Sequence, residues 1–112
     1  MTDFEDLKRG DVIWGTDPLS EKGRPMLVLG TPRFSDHGRQ LITVLLSSRT
    51  YHEESLTLRD ADYDGEPLGK RSHVLPWSVA TLNGAAEVEF HMTSLVDART
   101  DDVSERLSTY IW

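Results

Sequence analysis

The tripeptide Gly23-Arg24-Pro25 stands where a polar stretch runs into the apolar segment Met26-Leu27-Val28-Leu29. Proline fixes the direction in which the chain leaves and is tolerated at the first position of a strand. Arg24 is thereby held at a rigid strand entrance, and Gly23 leaves room for another chain to approach. A permanently charged, planar fork placed there suits the oxygens of a phosphate. A surface ion pair with Asp17 or Glu21 accounts for the same arginine, and on this segment alone it is the simpler account. The second candidate is Ser47-Ser48-Arg49-Thr50, directly after a long β-branched and apolar run. Two hydroxyls and an arginine at a strand end can hold a phosphate. Ordinary loop polarity is the simpler account of them when the segment is taken alone.

Other chemistries find little support. The chain of 112 residues has no cysteine, so disulfides, thiolate metal sites and cysteine nucleophiles are excluded. It contains no phosphate-binding Gly-rich loop, no His-Glu-x-x-His and no Gly-x-Ser-x-Gly. His37, His52, His73 and His91 are scattered without ligand spacing, so neither a metal nor another cofactor is expected. His91 alternates with Phe90 and reads as a solvated strand histidine.

The formal net charge is −7, an unfavourable start for a nucleic-acid binder. The charge is unevenly spread. Residues 1–21 and 74–112 each carry six acids against two Lys/Arg, whereas residues 22–73 carry eight Lys/Arg against seven acids. Arginines outnumber lysines nine to three. Acidic, lysine-poor surfaces suit concentrated salt, where screening is strong. A halophilic source and an ordinary acidic soluble protein both fit. No apolar run reaches the roughly 20 residues that span a bilayer, and the acidic start lacks a signal peptide's apolar core. A cytoplasmic protein without membrane contact is the expectation.

These residues need elements to position them. The length suits one domain over 1–112. Short apolar segments punctuated by Gly, Pro, Asp and Asn predict a mainly β fold. Strands are expected at Asp11–Thr16, Pro25–Gly30, Gln40–Ser48, Ser55–Arg59, Ser72–Leu82 and Glu87–Met92. The second reads as buried on both faces, the third as central, and Pro76 implies a bulge or an edge. Residues 17–24, 31–39 and 60–70 read as loops, with Gly23 free to take positive φ. Asn83-Gly84 predicts a two-residue hairpin turn. Val103, Leu107, Tyr110 and Ile111 share one helical face, and Thr100 is placed to cap that helix. Strands this short predict a small curled sheet or barrel, with the helix over an open end or edge.

Taken together, these segments resemble the PemK/MazF family of toxin endoribonucleases. The opening pattern is Arg9-Gly10-Asp11-Val12-Ile13-Trp14, then Asp17-Pro18, then Gly23-Arg24-Pro25 and its aliphatic run. Ile42 to Ser48 supplies the aliphatic strand ending in hydroxyls, and Val74 to Leu82 the third landmark. The likeness runs from Gly10 to the end of the chain. It implies an SH3-like barrel with a C-terminal helix and metal-independent, sequence-specific cleavage of single-stranded RNA. The implied partners are a second copy of the chain and an antitoxin with an acidic, disordered tail, in a complex that binds DNA. The family's active-site pair maps onto Arg24 and Ser47, the latter replacing a more common threonine. The RNA 2′-hydroxyl is the implied nucleophile and a 2′,3′-cyclic phosphate the implied product. Gly23, Ser48, Arg49 and Trp77 are the expected RNA contacts. Trp77 stands where some members carry an acid, and a base-stacking, core or interface tryptophan each fits. The 17–24 loop is shorter than is usual. A catalytically inactive barrel that docks protein or RNA is the competing reading.

Overall fold

The computed structural model describes residues 3–49 and 52–111, so Thr50 lies outside the described residues. The strands are β1 (Asp11–Thr16), β2 (Gly23–Gly30), β3 (Arg33–Phe34), β4 (Gly38–Arg39), β5 (Leu41–Ser47), β6 (Leu56–Thr57), β7 (His73–Leu82) and β8 (Val88–Ser94). One helix, α1 (Asp97–Ile111), follows. Six strands make one antiparallel sheet in the order β6-β7-β5-β2-β1-β8. The remaining two, β3 and β4, form a small hairpin within the stretch expected to be all loop.

Alternation sends residues of one strand to two different cores. Val12, Leu27 and Val44 lie in register across β1, β2 and β5 and continue to Leu46 and Val74. These are fully or almost fully buried and pack with Val103 of α1. Their neighbours Ile13, Met26, Val28, Leu41 and Leu82 face the other way and pack with Leu7. The continuous apolar run of β2 is therefore buried on both faces, as its sequence predicts. Each such side chain contributes about 1.5–3 kcal/mol.

Pro76 sits in a bulge. Val44 pairs with Val79 and Leu46 with Val74, so Leu45 opposes the whole 75–78 segment. Asn83-Gly84 does not make a hairpin. The strand after it, β8, pairs with β1 at the far edge of the sheet, and a short 3-10 turn at Ala85–Glu87 bridges the gap. So short a link can join those strands only because the sheet curls. Thr100 is not the helix cap either. The helix begins at Asp97, and fully buried Thr100 donates its hydroxyl to the Val96 carbonyl at 3.3 Å.

The expected barrel is not closed. Strand β6 has only two residues, and the Asp-, Gly- and Pro-rich 60–71 segment leaves the sheet. The two edges meet through one isolated bridge, Tyr63 with Leu95. Two flanking bonds reinforce it, Asp64 N–H to the Ser94 carbonyl at 2.8 Å and Val96 N–H to the Asp62 carbonyl at 2.9 Å.

Candidate functional site

The β1–β2 register pairs Thr16 with Gly23, Gly15 with Arg24 and Trp14 with Pro25. Pairing with β5 begins only at Met26, so Pro25 removes no hydrogen bond from that side. The intervening loop is knotted about Asp17. Its N–H reaches the Lys22 carbonyl at 2.8 Å, and its own carbonyl accepts from Glu21 N–H at 2.7 Å. Its carboxylate takes the Leu19 N–H at 3.0 Å and the Ser20 hydroxyl at 3.1 Å. The left-handed residue that the turn needs is Glu21, at φ 61°, and not Gly23.

The loop delivers Arg24 to the surface. The Nε of Arg24 lies 3.3 Å from Asp17 Oδ2, in a pair whose arginine side chain is 45% exposed and whose aspartate is nearly buried. Exposure keeps such a pair within about 1 kcal/mol. Among the described residues no hydrogen bond uses the guanidinium, so the carboxylate steadies its Nε end while the Nη edge stays available for two-point contact.

Gly23 has a local reason of its own. A Cβ there would stand 2.3 Å from Trp14 Nε1 and 2.8 Å from Cε2. Its missing side chain is thus filled by the Trp14 indole rather than left open to an approaching chain. Trp14 in turn lies parallel to Phe90, ring centres 6.3 Å apart.

Ser47 ends β5. Its Oγ accepts the Arg49 N–H at 3.0 Å, which folds Ser48 and Arg49 back over the strand end and leaves the hydroxyl hydrogen for another acceptor. Across β7 its register partner is His73, whose Nδ1 lies 2.9 Å from Thr57 Oγ1.

Arg24 and Ser47 face one open cleft of about 840 Å³. Gly23, Ser48 and Arg49 line it too, so five of the six expected site residues come together. Trp77 does not join them. It meets His52 and Tyr110 edge-on, at 5.1 and 6.4 Å, in a separate cavity of about 270 Å³. Sequence reasoning missed Trp14, Lys22, Lys70, Ser72 and Met92, which also line the cleft. The described lining thus holds four cations (Lys22, Arg24, Arg49 and Lys70) and not one acid. The excess of Lys/Arg in residues 22–73 was the available signal for Lys22 and Lys70. Among the described residues no cluster of His, Asp and Glu is arranged to hold a metal.

Neither a protein-family model nor a curated protein matches the sequence. Solved structures do match in fold. One is an endoribonuclease in complex with its cognate antitoxin from a mycobacterial species, 20% identical, TM-score 0.70, covering 94% of each chain. A second mycobacterial endoribonuclease is 19% identical, TM-score 0.66, covering 94% of this chain and 90% of its own. The Mycobacterium tuberculosis toxin MazF-mt6 is 13% identical, TM-score 0.65, covering 92% of this chain and 96% of its own. The structural neighbours are therefore endoribonuclease toxins of the MazF type, and this chain has their fold.

Proposed function

We propose that this chain is the toxin of a toxin–antitoxin pair, an endoribonuclease that cleaves single-stranded RNA in the cytoplasm. The observation that carries the reading is the acid-free cleft with four cations around Ser47, in a chain whose net charge is −7. A polyanion is drawn to a place where charge is locally reversed. The likeness to endoribonucleases, one of them bound to an antitoxin, supports the reading.

Arg24 grips two phosphoryl oxygens, and its charge is most stabilising as negative charge grows on them in the transition state. Ser47 donates its hydroxyl to the same phosphate and positions it. The RNA's own 2′-oxygen bonds to phosphorus while the bond to the 5′-oxygen breaks. Water takes the 2′-hydroxyl proton and returns one to the leaving 5′-oxygen. The products are a 2′,3′-cyclic phosphate and a 5′-hydroxyl. Because the nucleophile belongs to the substrate, no metal-activated water is required.

The cleft's described lining contains neither carboxylate nor imidazole. Cleavage of a long single-stranded RNA is therefore expected to persist in chelator. Its rate should rise with pH through the range 6–8, without a break near the histidine value of about 6.5. Intact RNA at low and at high salt would remove the enzyme. A break near that value would bring in a titrating group from outside that lining. A second reading, a non-catalytic binding module, draws on the Asp17 carboxylate that already pairs with Arg24. It predicts RNA binding with no cleavage.

A further inference from the structure

Beside the Arg24–Ser47 cleft lies a second one of about 540 Å³, and the two share Leu68, Gly69 and Lys70. Its cations are Arg59, Lys70 and Arg71 against a single acid, Asp60. Among the described residues Arg59, Lys70 and Arg71 have no carboxylate within ion-pair distance. Arg9, Arg33, Arg39 and Arg99, elsewhere on the molecule, are each paired with one. Arg59, Lys70 and Arg71 continue the run of cations from the first cleft, and such a run describes an electrostatic track.

An aromatic ring stands beside this track. Tyr63 lines the second cleft and packs at the margin of the helix-side core. Burial pushes its hydroxyl above the ordinary value, opposed by hydrogen bonds to the Leu68 backbone and the Ser72 side chain. The Tyr63–Leu95 bridge and the core contacts fix Tyr63 beside Leu68, which lines both clefts. A ring held this way next to cations is the combination that binds single strands, base on aromatic face and phosphate on cation.

We infer that the Tyr63 cleft is a second nucleotide subsite, receiving the RNA next to the scissile phosphate, with Arg59 and Arg71 on the neighbouring phosphate and Lys70 shared between subsites. This rests on the nuclease reading and extends it to how the substrate is held. It predicts that affinity depends on strand length. A strand too short to leave the first cleft gains nothing from Arg59 and Arg71.

The test uses 2′-O-methyl oligonucleotides, which lack the nucleophile, and measures binding by anisotropy over a range of salt. A 12-mer and a dinucleotide are compared on the parent and on Arg59→Ala/Arg71→Ala, with thermal melting as the check on folding. The 12-mer is expected to lose about tenfold in affinity and its salt slope to fall by about 1.4, at about 0.7 per phosphate contact on a single strand. The dinucleotide should be unaffected. Arg59→Lys/Arg71→Lys should restore most of the slope, since the contact is chiefly charge. A folded alanine variant that binds the 12-mer with the parent's slope overturns the inference while leaving the nuclease reading in place. A parent that binds no strand of either length overturns both. If the alanine pair instead weakens only binding of a polyglutamate peptide, the groove belongs to an acidic protein partner and the inference falls.

Discussion

Arg24 carries the main burden of the proposed chemistry, and its ion pair with Asp17 gives a competing explanation that experiment can separate. If the guanidinium serves the phosphate, Arg24→Lys keeps the charge but loses the planar fork. Loss of one preorganised donor set costs about 3 kcal/mol, about a hundredfold in rate. The melting temperature should barely move, because the Asp17 pair is half-exposed and worth under about 1 kcal/mol. Ser47→Ala should cost less, since Ser48 or water can supply a neutral hydrogen bond in its place. The measurement is cleavage rate for the two variants against the parent, beside their melting curves. An Arg24→Lys protein that cleaves at the parent's rate takes Arg24 out of the active site.

At the level of elements, the Gly23–Trp14 contact makes β1 and β2 build the cleft wall together. Gly23→Ala puts a Cβ within 2.3 Å of the indole nitrogen, and the ring is held from behind by Phe90. A cost of about 1–3 kcal/mol is expected, together with a change in tryptophan fluorescence. In a domain of this size 1 kcal/mol lowers the melting temperature by about 4–8 °C. If Gly23 mattered only as a place for RNA to approach, alanine would weaken binding and leave melting unchanged. Local reading of the sequence succeeded where an element's fate is decided by its own residues. The bounds of β1, the two-sided burial of β2 and the bulge at Pro76 all follow from alternation and from proline's missing N–H. It failed where the partner is remote. Asn83-Gly84 has hairpin chemistry, but the β8 hydrogen bonds go to β1. Thr100 has cap chemistry, but Val96 and Asp97 already carry the helix start. Arg24 and Ser47 were legible only as strand-end candidates, each with a simpler local explanation, until the resemblance paired them. Lys22, Lys70 and Trp14 were not, because three separate segments bring them to one cleft.

At the scale of the whole molecule, one face of the fold lacks a cover. Ile42, Trp77 and Val79 lie on the helix-bearing side of β5 and β7, and Tyr110 and Ile111 stand at the end of α1 beside them. Ile111 is 71% exposed and Val79 46%. Exposed apolar residues gathered on one side of a sheet mark an interaction surface. A two-fold homodimer, burying this patch against its own copy, is the assembly proposed here. Self-association doubles a net charge of −7, so the pairing works against electrostatic repulsion. Added salt should therefore tighten the dimer, screening that repulsion over about 10 Å at 0.1 M and far less at 1 M. Sedimentation at micromolar concentration, repeated from low to high salt, is expected to show a monomer–dimer equilibrium that shifts toward the dimer. Val79→Asp should give a monomer at every salt concentration. It sits on an exposed strand position, where the cost to the fold is about 1 kcal/mol or less, so the monomeric variant still melts cooperatively, lowered by no more than about 8 °C beyond the loss of the dimer's own stabilisation. The Arg24–Ser47 cleft does not include this patch. A monomeric variant that still cleaves RNA would therefore show each chain to carry a complete site. A parent that remains monomeric in moderate salt would leave the patch for the antitoxin instead of a second copy.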